Sequence, residues 1–454
     1  MKIFVRSVLC IATTVCIAGL VPCLAADADE RIERAMRALE TGAESAKADP
    51  TRPTYHYRPP SGWISDPDGP IYHKGFYHTF YIHNPFGPQG WPRSRNHWGH
   101  ACSRDLVLWE HLPVALAPLF DREHRCNSGC LAIDGRGRPL IFYTHVPLNN
   151  GPNEQWAAVG DDDLITWKRV PENPILSLKT HGGPRLSKHW RDPFIFKTDG
   201  RTFMILTANL GGNAVAPIYE ATNTSLLDWK YRGIMFKIPK NISTHFECPN
   251  FVKLGQKWVL IGSGLDKSYA IRYFTGTFDA KTLRFTPEIQ GLVDHLDNFL
   301  YATNIIHDDR GRCVMLARVK HFKTKGRAWN GCLALPRLLS IDTQGRLIQK
   351  PMPELKKLRQ EHFSAEPFEL KSTTRVIDEV EGDSLEILVT FKPGDAKAFG
   401  LNLRRSRDGK RGVLVRYDGR KFTFGEHIEG KLVACVQHGD RSKVPGGVLP
   451  FNLS

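Results

Sequence analysis

Short runs in which hydrophobic and polar residues alternate fill most of the chain between residues 54 and 350. Each run is broken after a few residues by Gly, Pro, Asp or Asn, a pattern typical of β-strands joined by tight turns. Residues 27–50 differ, because their polar, Ala- and Glu-rich spacing predicts one amphipathic helix that ends at a proline. Residues 351–362 resemble a short helical linker, and four more alternating runs follow within 363–454. The pattern therefore predicts an all-β protein preceded by one helical segment.

A five-residue motif that ends in an aromatic residue recurs in the longer β region. Its copies are DLVLW at 105–109, DLITW at 163–167, SLLDW at 225–229 and, more weakly, KTLRF at 281–285. The closing aromatic residues stand 58, 62 and 56 positions apart. A fixed period with about four short strands in each unit is the signature of a β-propeller blade. Residues 51–350 hold about five such periods. We therefore predict a five-bladed β-propeller, followed at 363–454 by a small β-sandwich that could be incomplete.

The first 26 residues have the layout of an export signal. Basic Lys2 and Arg6 precede an apolar run at 8–21 that is short for a membrane span, and two small residues follow at 25–26. We therefore expect residues 1–26 to be removed and the protein to be secreted, into the periplasm or outside the cell.

Composition and charge narrow the possible partners. Seven cysteines lie beyond the signal, where an oxidising compartment would let some of them pair, and the sequence leaves their pairing open. No spacing of Cys and His matches a metal site, so we expect neither a metal nor a cofactor. The net charge of +15 favours acidic surfaces, but Lys and Arg are spread along the chain without a nucleic-acid-binding module. Nucleic acid and membrane insertion are therefore not expected, and the oligomeric state stays open.

Three acidic residues, Asp66, Asp192 and Glu247, occupy similar sequence settings. Each is followed by proline, directly or after one residue, and by the blade period each opens a new blade. The first strands of propeller blades surround the central channel, so we expect the three carboxyl groups to converge at one channel mouth. Mutual repulsion there would raise the pKa of one carboxyl group and leave another low. Hydrolysis of a glycosidic bond needs that division, one protonated carboxyl group and one ionised. A single Asp-Pro turn is often only structural, but three in register favour catalysis.

The segments around these acids resemble the characteristic boxes of glycoside hydrolase family 32, which includes invertases, inulinases and levanases. WISDPDG at 63–69 is similar to the family's WMNDPNG box, WRDP at 190–193 to its RDP box, and FECP at 246–249 to its EC box. Further similar segments follow the family's order at 96–116, 154–169, 329–339 and 351–359. The resemblance implies a five-bladed propeller with a β-sandwich, and cleavage of β-fructofuranosidic bonds in sucrose or fructans such as inulin and levan.

The resemblance also implies a role for each acid. Asp66 would be the nucleophile of a retaining double displacement, and Glu247 the general acid and base. Their carboxyl groups would then lie about 5 to 5.5 Å apart. Asp192 would hold sugar hydroxyls and stabilise positive charge in the transition state, and Arg191 would keep nearby carboxylates ionised. The residues expected to bind the sugar are Trp63, Ser65, Trp91, Ser128 and Arg191.

Some positions depart from the family's pattern. The two Asn of the first box are Ser65 and Asp68 here, and Asp68 is expected to add an anion near the nucleophile. Ile82 stands where the family commonly has a Gln that contacts sugar, and 127–130 (NSGC) lacks the family's Phe. The exact substrate therefore stays open. Two alternatives also stay open: an inverting glycosidase for another furanoside such as arabinan, with carboxyl groups about 6.5 to 9.5 Å apart, and a catalytically silent carbohydrate-binding propeller.

Overall fold

The computed structural model describes residues 2–7, 29–187, 190–264, 270–294, 299–320, 322, 324–429, 431–438 and 449–453, of which 2–7, 431–438 and 449–453 are described as backbone only. These residues form two compact units, one from residues up to 354 and one that combines residues 2–7 with those from 355 onward.

The first unit begins with helix α1 (Glu30–Lys47) and continues almost entirely as strands. Its strands are β2 (Gly62–His73), β3 (Phe76–Asn84), β4 (His97–Ser103), β5 (Trp109–Leu116), β6 (Glu123–Ile133), β7 (Pro139–Pro147), β8 (Glu154–Gly160), β9 (Trp167–Arg169), β10 (Arg191–Thr198), β11 (Arg201–Leu210), β12 (Asn213–Ala221), β13 (Trp229–Lys237), β14 (Glu247–Leu254), β15 (Lys257–Ser263), β16 (Arg272–Asp279), β17 (Arg284–Leu292), β18 (Leu300–His307), β19 (Cys313–Val319), β20 (Trp329–Asn330), β21 (Cys332–Leu333), β22 (Arg337–Ile341) and β23 (Leu347–Pro351).

The second unit consists mainly of short strands. A 3-10 helix (Pro353–Leu358) leads into it. Its strands are β1 (Lys2–Ser7), β24 (His362–Ala365), β25 (Leu385–Phe391), β26 (Phe399–Leu403), β27 (Arg411–Tyr417), β28 (Phe422–Ile428), β29 (Lys431–His438) and β30 (Leu449–Leu453).

The first unit is a five-bladed propeller. Four of its sheets are antiparallel meanders in chain order, β2–β5, β6–β9, β10–β13 and β14–β17, and the fifth runs β18, β19, β22 and β23. The first strands β2, β6, β10, β14 and β18 contact one another in that order, and β18 contacts β2 to complete the ring. The late strand β20 pairs in parallel with β2, which ties the end of the ring to its beginning. The predicted propeller is confirmed.

The recurring motif forms the turn that leads to the last strand in the first four blades. In each strong copy the Trp indole N–H donates to the carbonyl oxygen of the Leu three residues earlier, and that Leu adopts a left-handed backbone conformation. The pairs are Trp109 to Leu106 (3.1 Å, φ 63°), Trp167 to Leu164 (2.9 Å, φ 63°) and Trp229 to Leu226 (2.8 Å, φ 58°). A left-handed Leu is unfavourable by itself. The indole therefore stabilises a turn that the backbone alone would avoid, which explains why these residues recur.

Helix α1 packs on the first blade. Asp29 caps its first turn by accepting the N–H of Arg31 at 3.1 Å. Its apolar face, with Ala35 and Leu39, packs against Val114 of β5. The predicted helical segment is thus part of the propeller unit and covers apolar surface that β5 would otherwise expose.

The second unit is a β-sandwich of two four-stranded antiparallel sheets. One sheet has the order β24-β1-β25-β30, and the other is the meander β26-β27-β28-β29. Between them, Phe391 packs against Phe399 with ring centroids 4.8 Å apart. The predicted sandwich is confirmed, and within the described residues each sheet has four strands. Residues 2–7 form one of these strands, whereas 8–26 of the expected export signal lie outside the described residues, so its removal stays a prediction.

Two further findings concern cysteines and membranes. The six cysteines whose side chains are described are buried and free, and Cys435 lies outside them. No helix in the described part of the chain is both long and apolar enough to cross a membrane.

Candidate active site

A β-bulge interrupts the first strand of every blade. The pairing register shifts between Ile64 and Pro67 in β2, Asn127 and Gly129 in β6, Arg191 and Phe194 in β10, Glu247 and Asn250 in β14, and Tyr301 and Thr303 in β18. A bulge bends its strand and redirects the side chains beside it. All three predicted acids lie at these bulges. The ring of first strands therefore presents five redirected segments at one end of the channel.

Two hydroxyl groups and one guanidinium group hold the Asp66 carboxylate. The Ser65 hydroxyl donates to Oδ1 at 2.7 Å, and the Ser128 hydroxyl donates to Oδ2 at 3.0 Å from the neighbouring blade. Nη1 of Arg318, on β19 of the fifth blade, lies 3.3 Å from Oδ1 and also donates to Ser65. The Asp66 carboxylate is therefore oriented from three blades and balanced by a guanidinium.

Three groups surround the Glu247 carboxylate. The Arg191 guanidinium and the Tyr301 hydroxyl both donate to it, and Nε2 of His245 lies 2.9 Å from Oε1. Burial alone would raise the pKa of Glu247, but Arg191 and the His245 and Tyr301 hydrogen bonds outweigh burial and lower that pKa to about 2.

The pKa of Asp192 is shifted in the opposite direction from that of Glu247. Its side chain is buried and accepts the Cys248 backbone N–H at 3.0 Å, while its own N–H donates to the Thr144 hydroxyl at 2.9 Å. Burial raises the pKa of Asp192 to about 7, although Nε of Arg191 lies 3.7 Å from Oδ2 and acts in the other direction. The nearby Glu247 carboxylate raises the pKa further. Asp192 can therefore exchange a proton near neutral pH.

The expected division of pKa values is present, but it does not follow the roles that the sequence suggests. Glu247, the residue expected to be the acid, carries the lowered pKa, whereas that of Asp192 is raised. The physical reason is the position of Arg191, which donates directly to Glu247 but lies farther from Asp192. In this arrangement of side chains Glu247 is an anion.

Asp68 corrects a second expectation. The expectation was an added anion near the nucleophile, but the Asp68 side chain is buried, and its Oδ1 accepts the Gly129 N–H at 2.9 Å. Burial first, and then the charge of Asp66, raises the pKa of Asp68 well above its usual value. A neutral carboxyl group is therefore favoured at this position.

The expected sugar-binding residues divide into two groups. Ser65, Ser128 and Arg191 contact the acids directly, as described above. Trp63 is buried in an apolar cluster with Phe80 and Trp98, and Trp91 is 73% exposed. Among the described residues, no hydrogen bond or ion pair joins either indole to the three acids. Ile82 is likewise buried in that cluster, so the position belongs to the packing of the blade.

The fifth blade supplies residues that the sequence interpretation missed. Tyr301 on β18 and Arg318 on β19 contact Glu247 and Asp66 respectively. The last and weakest copy of the recurring motif, at 281–285, lies in the preceding blade, and no predicted catalytic acid lies in the fifth blade. A usable signal was the spacing of the bulges: Asp66, Ser128, Asp192 and Cys248 lie 56 to 64 positions apart, which places the next position at about 304 to 312, just beyond the bulge between Tyr301 and Thr303.

No cluster of three or more His, Cys, Asp or Glu side chains within the described ranges is placed to hold a metal ion. The site combines carboxyl groups, guanidinium groups and hydroxyl donors at the mouth of a propeller channel. A carboxylate can attack the carbon of an acetal, and a carboxylic acid can protonate its leaving oxygen. This combination of fold and site defines a glycoside hydrolase.

Comparison with known proteins identifies the family. Residues 56–351 match the model of the glycosyl hydrolases family 32 N-terminal domain, so the chain belongs to glycoside hydrolase family 32. It is similar to a raffinose invertase of Escherichia coli, with 29% identity over 85% of this chain and 83% of that protein. A levanase of Bacillus subtilis is 30% identical over 81% of this chain and 57% of its own length. The expectation of a glycoside hydrolase is confirmed.

A solved structure supports the same architecture. The sucrose-6-phosphate hydrolase of Lactobacillus gasseri superimposes with a TM-score of 0.77, at 24% identity, over 92% of this chain and 86% of that one. At this identity the likeness concerns the fold, which agrees with the propeller and sandwich described above.

Proposed function

We propose that this protein is a retaining hydrolase that cleaves β-fructofuranosidic bonds in sucrose or in fructans by double displacement. The main observation behind the proposal is the set of contacts around Asp66, in which Ser65, Ser128 and Arg318 orient one carboxylate for attack. The family membership and the invertase and levanase relatives support the substrate class. Secretion is part of the proposal because residues 1–26 have the basic and apolar layout of an export signal.

In the first step, a carboxylate oxygen of Asp66 forms an ester bond to the anomeric carbon of the fructosyl group, and the bond to the leaving oxygen breaks. Glu247 gives its proton to that leaving oxygen. Because Arg191 favours the ionised form of Glu247, this role requires the carboxylate to separate from the guanidinium and take up a proton when substrate binds.

In the second step, Glu247 removes a proton from water, and the resulting oxygen attacks the anomeric carbon and releases Asp66. Asp192 binds sugar hydroxyls beside the reacting carbon. Its pKa of about 7 lets it donate or accept a hydrogen bond near neutral pH. Arg318 stays on Asp66 and stabilises it as a leaving group.

The test uses four polysaccharide or oligosaccharide substrates: sucrose, inulin, levan and arabinan. The wild-type protein should release free fructose from at least one of the first three. Asp66→Ala and Glu247→Ala should each lower that release by about a thousand-fold or more, because the groups are needed in the transition state. Asp134→Asn is a matched control, since Asp134 is a buried carboxylate paired with Arg138 in a hairpin turn.

Two other outcomes would replace the proposal. Release of arabinose with inverted configuration would indicate the inverting alternative, and binding of all four sugars without product would indicate a silent carbohydrate-binding propeller. Full activity of Asp66→Ala would refute the mechanism whichever sugar is released.

A further inference from the structure

Asp68 lies two residues after Asp66 on the same strand, yet its environment differs. Its side chain is almost fully buried, with 1% of the residue exposed. Oδ1 accepts the Gly129 N–H, whereas Oδ2 has no hydrogen-bond partner among the described residues. No ion pair to Asp68 is found in the same part of the chain. A buried carboxylate without a cation is unfavourable, so this geometry favours the protonated form.

The charges around Asp68 also favour its protonated form. The Arg318 guanidinium pairs with Asp66, and the Arg191 guanidinium pairs with Glu247. Arg191 also lies 3.7 Å from the Asp192 carboxylate, so each of the two guanidinium groups already has a carboxylate partner. An ionised Asp68 would be a further anion in a buried region where both cations already have partners.

Asp68 also belongs to a two-point attachment between the first and second blades. Ser128 and Gly129 are consecutive in the β6 bulge, and they donate to Asp66 and Asp68 at 3.0 and 2.9 Å respectively. Position 129 has no room for a side chain, because an added Cβ would lie 1.9 Å from the Phe142 carbonyl oxygen. The bond to Asp68 therefore fixes the segment that carries the Ser128 hydroxyl.

We infer that Asp68 is a positioning residue that works in its protonated form: it anchors Gly129, so that Ser128 stays on Asp66, and it leaves Asp66 as the one anion of this strand. The inference rests on the nucleophilic role proposed for Asp66. Asp68 would then support the reaction through Gly129 and Ser128, without contacting the substrate itself.

The titratable groups that face Asp68 agree with this assignment. They are Asp66 on its own strand, Asp192 on β10, Cys248 on β14 and Cys130 on β6. Burial raises the pKa of Asp68, and Asp66 and Asp192 raise it further, while the Gly129 hydrogen bond opposes them. None of these four neighbours is a cation. Loss of the Asp68 proton at alkaline pH would place a second anion beside Asp66.

Two substitutions separate the anchoring role from the charge. Asp68→Asn keeps an oxygen acceptor for Gly129 and cannot ionise, so kcat near pH 6 should stay within about three-fold of wild type. Asp68→Ala removes the acceptor, so kcat should fall by about ten-fold or more, with a smaller change in KM. An Asn variant as impaired as Ala would show that Asp68 works as an anion, and two fully active variants would exclude a positioning role.

A second measurement does not depend on activity. A carboxyl group whose pKa is raised by folding stabilises the folded state below its unfolded pKa of about 4, and this contribution is lost as the pH rises. Asp68→Asn does not titrate. The Tm of Asp68→Asn relative to wild type should therefore increase from pH 4 to pH 8. A relative Tm that stays constant or decreases would overturn the protonated assignment, and this result is independent of whether Asp66 proves to be the nucleophile.

Discussion

Arg191 on the third blade donates directly to Glu247 on the fourth, although the two residues are 56 positions apart in the chain. The contact joins two neighbouring first strands and fixes the charge of Glu247. The same guanidinium lies 3.7 Å from Asp192. The position of Arg191 therefore favours the ionised form of Glu247 more strongly than that of Asp192.

Arg191→Met should lower the Tm more at neutral pH than at acidic pH. In the wild type the lowered pKa of Glu247, about 2, stabilises the fold above its unfolded pKa of about 4.5, and this stabilisation is lost as the pH falls toward 2. Without Arg191, the effect of burial meets less opposition, so the pKa of Glu247 should be higher than in the wild type. The variant should have a lower Tm than wild type at pH 7 and a smaller difference at pH 3. An equal difference at both pH values would show that Arg191 does not hold Glu247 ionised.

Glu247→Gln should distinguish substrates by their leaving groups. The aryloxide group of an aryl fructoside leaves without being protonated, so the first step on this substrate should be largely spared. Cleavage of sucrose, whose leaving oxygen needs a proton, should fall by about a hundred-fold or more. Burst kinetics with the aryl substrate and steady-state kinetics with sucrose measure the two effects. Asp66→Asn is the control, because it should lose both. Equal losses by Glu247→Gln on the two substrates would refute the acid role.

Buried histidines of the first blade should make the fold sensitive to acid. Nδ1 of His78 lies 3.0 Å from Nε2 of His100, and burial lowers the pKa of His78 to about 4. A lowered histidine pKa stabilises the fold above pH 6.5 and loses that contribution as the pH falls toward 4, at up to about 1.4 kcal/mol per pH unit.

His78→Asn should therefore flatten the decrease in Tm between pH 7 and pH 5. Thermal unfolding at several pH values measures this slope in the variant and in the wild type. An unchanged slope in His78→Asn would mean that His78 takes up no proton during acid unfolding.

The packing of α1 on the first blade is testable with a pair of variants in that helix. Leu39 is 1% exposed and packs against Val114 of β5. Leu39→Ala should lower the free energy of unfolding by about 2 to 5 kcal/mol, because it removes buried methyl groups and leaves a cavity. Glu40→Ala, at the exposed neighbouring position, should change it by less than about 0.5 kcal/mol. Urea unfolding of both variants gives the comparison, and similar values would show that α1 is not packed on the blade.

The repeat in the sequence predicted the blades because the same local turn recurs from one blade to the next. The left-handed Leu and the Trp that caps it recur in the turns to the last strands of the first three blades. The same period singled out Asp66, Asp192 and Glu247, since each lies at or near the start of a first strand. Local geometry and spacing are sufficient for features of this kind.

The electrostatics of the site depend on contacts between blades, which spacing does not reveal. Arg318 and Tyr301 lie far along the chain from their partners Asp66 and Glu247. Arg and Tyr have many structural roles, so no motif singles them out. The burial of Asp68 likewise depends on the second blade, and its sequence suggested only an added anion.

The central claim is that Asp66 forms a covalent bond to the sugar. Glu247→Gln incubated with an aryl fructoside should accumulate the ester, because its first step is spared and its second step lacks a base. Intact-protein mass spectrometry followed by peptide mapping should find one added fructosyl group, located on Asp66. An adduct on another residue, or cleavage of the aryl fructoside by this variant with no adduct and with inverted configuration of the fresh product, would contradict the account.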